Sequence, residues 1–172
     1  MPSSRKWNRR DGSAVRFGPS PGRIDSASAA QHAEPSPATT VARPATRQSS
    51  DEDTVIWLVN HVRARAGLPR LRYDDRLRVA ARKHSRDMAR RDFCEHVNPD
   101  GVTPAQRMSK AGYPNPGGEN VARGQSGPHA VMNAWMASPS HRANILNPDF
   151  VTIGVGVDLS AGGPYWTQNF GC

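Results

Sequence analysis

Two histidines and one glutamate stand in turn-rich segments of the sequence, where side chains are often functional. His96 precedes a run of Asn, Pro, Asp and Gly, Glu119 follows two consecutive glycines, and His141 follows Ser-Pro-Ser. Two imidazoles and one carboxylate are the protein ligands of a catalytic or labile zinc site that keeps one position open. These residues therefore predict a divalent-metal site, with zinc as the candidate ion, if the fold brings them together.

The same three side chains also fit a structural hydrogen-bond network, and their spacing does not decide between the two. The gaps of 22 residues before Glu119 and 21 residues after it are far longer than those of the compact H-E-x-x-H motif of zinc proteases. A bound metal would compete with protons for the imidazoles at about pH 6–7 and would be released below about pH 5. Metal release in acid is therefore expected from a metal site and not from a hydrogen-bond network.

The other histidines of the folded part fit simpler roles. His61 and His129 fall on predicted helices without an acidic neighbour, which indicates exposed surface residues. His84 lies on the apolar side of a predicted helix, where a histidine is usually a hydrogen-bonded core residue. A serine hydrolase is not expected, because the run Gly-Gln-Ser-Gly at 124–127 lacks the G-x-S-x-G spacing.

Four predicted helices flank these residues. They span residues 51–66, 76 to about 91, 104–111 and 128–137. The first two show apolar residues at helical spacing, and the other two begin with Pro at the first helical position. The acidic run 51–53 is expected to complement the N-terminus of the first helix. Ser138 and Pro139 are expected to end the fourth.

Two predicted strands follow the helices. Residues 151–158 alternate Val or Ile with Thr, Gly and Asp, which is the two-residue period of a strand. A turn at 160–163 leads to a second strand at 165–170, so the two are expected to form a hairpin. Helices followed by strands indicate an α+β fold with an antiparallel sheet, and about 120 residues suffice to cover both of its faces with helices.

Residues 1–50 differ in composition from the rest of the chain. They hold six prolines, few large apolar side chains, and 8 basic against 3 acidic residues. Such a segment cannot bury enough apolar surface to offset about 1–2 kcal/mol of backbone entropy for each ordered residue. We therefore expect a disordered basic leader at 1–50 and one folded domain at 51–172.

Composition argues against several classes of protein. No run of about 20 apolar residues is present, so a transmembrane segment is not expected. No apolar h-region of a signal peptide is visible within residues 1–50. The arginine-rich second helix lacks interleaved aromatic residues, so specific binding of nucleic acid is not expected. No pattern indicates an oligomeric state.

Four segments in a fixed order resemble the CAP superfamily of cysteine-rich secretory, antigen 5 and pathogenesis-related proteins, also called SCP domains. They are FCEH at 93–96, GENV at 118–121, SPSHRANIL at 138–146 and YWTQNFG at 165–171. The resemblance covers residues 51–172 and points to the short bacterial branch of the family. It implies a three-layer α-β-α sandwich with a central antiparallel sheet and a large open cleft.

The resemblance also implies roles for the residues of that cleft. Family members usually line it with two His and two Glu, and His96, Glu119 and His141 match three of these positions. Ser138 stands at the position of the second Glu, so a metal held by the other three is expected to bind more weakly. Alternatively, Ser138 only ends the fourth helix before Pro139.

The resemblance further implies export, and an exported chain is expected to join Cys94 and Cys172 in a disulfide. Closing the 77 intervening residues into a loop would stabilise the fold by about 2–4 kcal/mol in the chain-entropy model. Two alternatives stay open. Cys94 is a buried free thiol, or it is a nucleophile with His96 as its base, because residues i and i+2 of an extended segment share a face.

Three functions compete for these features. The first is an extracellular CAP-type module whose cleft binds a divalent metal and a lipid, glycan or other cell-envelope ligand. The second is a metal-dependent hydrolase of envelope material, with Glu119 as base or ligand. The third is a non-specific, salt-dependent binder of anionic surfaces through the basic leader and the second helix.

Overall fold

The computed structural model describes residues 46–172, so the leader expected at 1–50 lies almost wholly outside the described residues. This part of the chain forms five helices and four strands. They are α1 (Arg47–Arg65), β1 (Arg72–Tyr73), α2 (Asp75–Arg91), α3 (Pro104–Lys110), β2 (Pro116–Arg123), α4 (Pro128–Ala137), α5 (Pro139–Ile145), β3 (Thr152–Asp158) and β4 (Tyr165–Gly171).

The four strands form one sheet in the order β1-β3-β4-β2. The predicted hairpin is present, because β3 and β4 pair antiparallel with Val155 opposite Gln168. β2 adds to β4 in antiparallel fashion and places Glu119 opposite Asn169. β1 has only two residues and pairs parallel to β3, which the sequence pattern does not indicate. The sheet is therefore antiparallel except at one short edge strand.

Helices cover both faces of the sheet and complete the three-layer α-β-α sandwich. Ile153, Val155 and Val157 of β3 join the main core with α1, α4 and α5. On the opposite face, α2 packs directly on β3 and β4. Gly154 and Gly156 permit this close approach, because a Cβ atom at either position would overlap the backbone of α2. Both faces of β3 are thus buried.

The second and third helices lie where the sequence predicts them. The Asp74 carboxylate accepts a hydrogen bond from the backbone N–H of Arg76 and so caps α2. A capping box between Thr103 and Gln106 opens α3. None of the helices between residues 46 and 172 is both long and apolar enough to cross a lipid bilayer.

The first helix begins earlier than predicted, and this changes the role of its acidic run. Its N-cap is Thr46, so residues 51–53 lie beyond the first turn and do not complement the helix N-terminus. Glu52 is instead fully buried. Arg82 of α2 donates to its two oxygens through Nε at 2.9 and 3.0 Å, and the backbone N–H of Val157 donates at 3.2 Å. The carboxylate therefore ties α1 to α2 and β3.

Two segments interpreted as loops from the sequence are regular elements. Residues 117–121 belong to β2, and residues 139–145 form α5 directly after α4. Ser138 is both the C-cap of α4 and the N-cap of α5. The fourth helix thus ends before Ser138 and Pro139, as predicted. A new helix begins at once, because Pro139 takes the first position of α5, where a missing N–H leaves no helical hydrogen bond unmade.

Candidate functional site

His96 and Glu119, two of the three predicted metal ligands, are in direct contact. His96 lies in the loop between α2 and α3, and Glu119 lies in the middle of β2. The imidazole Nδ1 donates to Glu119 Oε1 at 3.0 Å. The Glu119 side chain is 1% exposed and the His96 side chain 47% exposed. A buried carboxylate therefore holds an imidazole that faces solvent.

Arg107 of α3, which the sequence analysis does not single out, binds the same carboxylate. Its Nη2 donates to Oε1 of Glu119 at 3.0 Å and to Oε2 at 2.8 Å. The guanidinium also donates to the backbone carbonyls of His96 and Val102, each at 2.8 Å. In the amide orientation that satisfies its neighbours, Asn169 donates to Glu119 Oε2 at 3.1 Å. Protein donors thus occupy both oxygens of Glu119.

These contacts set the charge state of the two histidines near the cleft. The hydrogen bond to Glu119 raises the pKa of His96, because it favours the protonated imidazole. Burial lowers the pKa of His141, and the charge on His96 lowers it further. When the pH falls, His96 therefore takes up a proton before His141 does.

His141, the third predicted ligand, lies on α5 and joins the site through its backbone. Its carbonyl oxygen accepts a hydrogen bond from Asn120 Nδ2 at 3.1 Å. Asn144 of the same helix donates to Asn120 Oδ1 at 2.9 Å and to the carbonyl of Glu119 at 3.2 Å. Asn120 also donates to Gln168 Oε1 at 2.9 Å. A network of amides therefore fastens α5 to β2 and β4.

Sequence reasoning misses these amides as functional positions, although a signal for all three exists. Asn120, Asn144 and Gln168 stand inside the GENV, SPSHRANIL and YWTQNFG segments that carry the family resemblance. Asn120 is fully buried, and buried polar side chains require hydrogen-bond partners. A polar residue inside a recurring motif is therefore a candidate for positioning the chain as well as for binding a ligand.

A cleft of about 320 Å³ opens beside His96. Polar groups of His96, Thr103 and Glu119 line it together with the apolar surfaces of Pro104, Ala105, Met108, Gly117 and Gly118. Gly118 lets β2 pass closely over Phe150, because a Cβ atom there would lie 3.0 Å from the ring. Since Glu119 engages Nδ1 of His96, Nε2 is the ring nitrogen left for a ligand in this cleft.

Two features of the site weigh against the divalent metal that the sequence predicts. Within residues 46–172, no three His, Cys, Asp or Glu side chains lie close enough together to hold a metal ion. A cation at Glu119 would also meet the positive charge of Arg107, which already binds both carboxylate oxygens. Ser138, at the position of the second Glu, offers only a hydroxyl, which lies 3.4 Å from Ser140 Oγ.

We therefore expect zinc to bind the wild type no more tightly than it binds a His96→Ala/His141→Ala double variant. Isothermal titration calorimetry with zinc chloride at neutral pH measures both affinities. A His61→Ala/His129→Ala variant removes two exposed histidines elsewhere and corrects for non-specific binding. A loss of about tenfold or more confined to the first variant would establish the metal site after all.

Both cysteines are free thiols, so the predicted disulfide between Cys94 and Cys172 is wrong. Cys94 lies two residues after Asp92, whose carboxylate accepts a hydrogen bond from Tyr165 at the start of β4. Cys172 follows the other end of β4 and donates its N–H to Asn115 at 3.1 Å. A strand of this length spans about 20 Å, whereas a disulfide needs Cα atoms within about 7 Å.

Burial raises the pKa of the Cys94 thiol, which disfavours the thiolate that a nucleophilic cysteine requires.

The remaining histidines between residues 46 and 172 have the predicted roles. His61 and His129 are exposed, and His61 stacks on Trp57 with ring centroids 5.4 Å apart. His84 is 1% exposed. Its Nε2 donates to the carbonyl of Glu95 at 2.9 Å, which confirms a hydrogen-bonded core residue.

Comparison with known sequences finds a matching family model and curated relatives. The sequence model of the cysteine-rich secretory protein family, CAP, matches residues 57–170. The chain is 42% identical to the protein YkwD of Bacillus subtilis (strain 168) over 123 residues, which are 71% of this chain and 47% of YkwD.

Two solved structures resemble the fold described above. An extracellular protein containing an SCP domain from Bacillus anthracis str. Ames superposes with a TM-score of 0.68 at 30% identity, over 76% of this chain and 45% of that one. An outer surface protein from Borrelia burgdorferi superposes with a TM-score of 0.66 at 26% identity, over 71% of this chain and 92% of that one. The chain spans about half the length of YkwD and of the B. anthracis protein.

Proposed function

The chain belongs to the cysteine-rich secretory protein (CAP) family, and on that premise we propose that it binds cell-envelope glycans outside the cell. The ligand site is the cleft beside His96 and Glu119. One observation carries the proposal: a half-exposed imidazole, fixed by a buried carboxylate, stands at the edge of an open and partly apolar cleft.

The chemistry of the cleft favours a glycan as its ligand. His96 and Thr103 offer polar atoms beside the apolar surfaces of Pro104 and Met108. Sugars combine hydroxyl groups, which hydrogen-bond to such atoms, with ring faces that pack on such surfaces. Because Arg107 balances the charge of Glu119, an uncharged ligand fits this cleft better than a metal ion does.

The structural relatives support a location outside the cell. One is described as an extracellular protein and the other as an outer surface protein. A protein in such a location meets the polymers of the cell envelope. Family and location therefore agree with the chemistry of the cleft.

We expect His96→Ala to weaken the binding of a soluble peptidoglycan disaccharide by about tenfold or more, because the variant removes the polar group that faces the cleft. Isothermal titration calorimetry measures the dissociation constant. His129→Ala, an exposed histidine of α4, is the matched control and should leave the affinity unchanged. Equal affinities of the wild type and His96→Ala would contradict the proposal.

Hydrolysis of the same glycans is the second candidate function, and the His96–Glu119 pair is the observation that favours it. A carboxylate bonded to one ring nitrogen orients an imidazole so that the other nitrogen can take a proton from water. Release of reducing ends from insoluble peptidoglycan, lost in both His96→Ala and Glu119→Gln, would establish an enzyme. Binding without release would leave the binding module.

A further inference from the structure

The basic residues of α2 fall into two groups. Four arginines form ion pairs with carboxylates: Arg76, Arg78, Arg82 and Arg91. Lys83, Arg86 and Arg90 are exposed and form no ion pair with any residue between 46 and 172, and the same is true of Lys110 on α3. The basic leader lies almost wholly outside the described residues. These four side chains are the basic groups of α2 and α3 that remain free to bind an anion.

The four side chains surround one cavity. A volume of about 400 Å³ between α2 and α3 is lined by Lys83, Arg86, Arg90, Lys110 and Arg107. The groups come from two helices and face a common space. An anion in this space could therefore contact several of them at the same time.

One arginine offsets half of the negative charge that the two acidic residues bring to the cavity. Asp87 and Asp100 line the cavity, and Arg91 lies 3.7 Å from the first carboxylate and 2.6 Å from the second. Asp87 also accepts a hydrogen bond from Asn98 at 3.0 Å. His84 adds no charge near neutral pH, because burial lowers its pKa. The cavity therefore keeps a surplus of positive charge.

Arg107 contributes a buried donor that lacks an acceptor. Its side chain is 9% exposed, and it lines this cavity and an adjoining space of about 160 Å³ that it shares with Lys83 and Lys110. Its Nε has no hydrogen-bond partner among residues 46–172. A buried donor without an acceptor is destabilising, and Arg107 is the lining residue of this cavity that carries one.

We propose that this cavity binds the phosphate group of a phosphate-bearing ligand. Phosphate accepts several charge-assisted hydrogen bonds at once, so it can engage guanidinium and ammonium groups from both helices. His96 does not line the cavity, and the inference does not depend on the glycan proposal.

Calorimetric titration of the full chain with inorganic pyrophosphate at low ionic strength tests the proposal. We expect saturable binding to the wild type and a loss of about tenfold or more in Lys83→Gln/Lys110→Gln. Both substitutions are at exposed positions, so the variant should remain folded. Arg65→Gln/Arg70→Gln removes the same charge from exposed positions elsewhere and should change the affinity by less than about twofold.

Equal losses in the two double variants would overturn the proposal, because binding would then depend on net charge alone. Absence of saturable binding to the wild type would overturn it too. Vesicles of phosphatidylglycerol, compared with pyrophosphate, distinguish the source of the phosphate. Binding to pyrophosphate but not to the vesicles assigns the cavity to soluble phosphates. Binding to pyrophosphate and to the vesicles, with the same dependence on Lys83 and Lys110, assigns it to lipid headgroups as well.

Discussion

Replacing Arg63 by alanine is expected to lower the free energy of unfolding by about 3–5 kcal/mol. Arg63 lies near the C-terminal end of α1 and is fully buried. Its guanidinium donates to the carbonyl oxygens of Pro69 at 2.9 Å and Asn147 at 2.7 Å. It also donates to those of Ile145 at 2.9 Å and Phe150 at 3.3 Å. Alanine would leave four acceptors without this donor and open a cavity in the core.

The effect should extend to the candidate site, because the carbonyls of Ile145, Asn147 and Phe150 belong to the end of α5 and to the segment before β3. Arg63 thereby holds in place the helix that carries His141 and Asn144. Denaturation with urea measures the loss, and exposed Arg65 on the same helix provides the matched control. Arg65→Ala should change stability by less than about 0.5 kcal/mol. A loss below about 1 kcal/mol in Arg63→Ala would show that other groups can replace the guanidinium.

Signals that act over a few residues predict the corresponding elements well. Asp74 and Thr103 cap α2 and α3 through hydrogen bonds to residues at most three positions away. The alternation of β3 and the short turn before β4 likewise depend on neighbours in sequence. The sequence therefore contains, at short range, most of the information that defines these elements.

Elements that depend on contacts between residues far apart in the sequence cannot be predicted from such local signals. Gly117 and Gly118 resemble a loop, and they become part of a strand only because β4 pairs with β2. Glu52 resembles a helix-terminal acid, and it is buried because Arg82 and Val157, far along the chain, supply its donors. Local sequence patterns do not indicate such long-range pairings.

The candidate site shows the same division. The sequence segments around His96 and Glu119 predict that these two side chains lie close together. Their hydrogen bond confirms this part of the prediction. Arg107 lies on a short helix whose sequence resembles an ordinary polar surface. Only the packing of α3 against β2 turns its guanidinium toward Glu119. The residue that places a positive charge beside Glu119 is therefore the one that sequence patterns cannot identify.

Replacing Glu119 by alanine is expected to lower the free energy of unfolding by about 3–5 kcal/mol as well, because it leaves the charge of Arg107 buried without a partner. The Arg107 side chain is 9% exposed, so water cannot replace the lost carboxylate fully. Urea denaturation measures the effect. Glu95→Ala removes an exposed carboxylate next to His96 and should cost less than about 0.5 kcal/mol.

A double variant separates the buried charge from lost packing. Arg107→Met/Glu119→Leu replaces the pair by apolar side chains of similar size and is expected to recover most of the stability that Glu119→Ala loses. If the double variant is as unstable as Glu119→Ala, the loss arises from packing, and the ion pair is not its cause.

The pH dependence of the Glu119→Ala effect isolates the share of His96. Glu119 raises the pKa of His96 in the folded state, so their hydrogen bond stabilises the fold more when His96 is protonated. This contribution is fully present below the unfolded pKa of about 6.5 and is lost as the pH rises through the higher folded pKa. The stability difference between wild type and variant should therefore be larger at about pH 6 than at about pH 9. The excess should stay below about 1 kcal/mol, because the His96 side chain is 47% exposed. A stability difference that is constant with pH, or that grows as the pH rises, would mean that Glu119 does not hold the His96 imidazole. Glycan binding and glycan hydrolysis both depend on this fixed imidazole, so both proposals would then lose their basis.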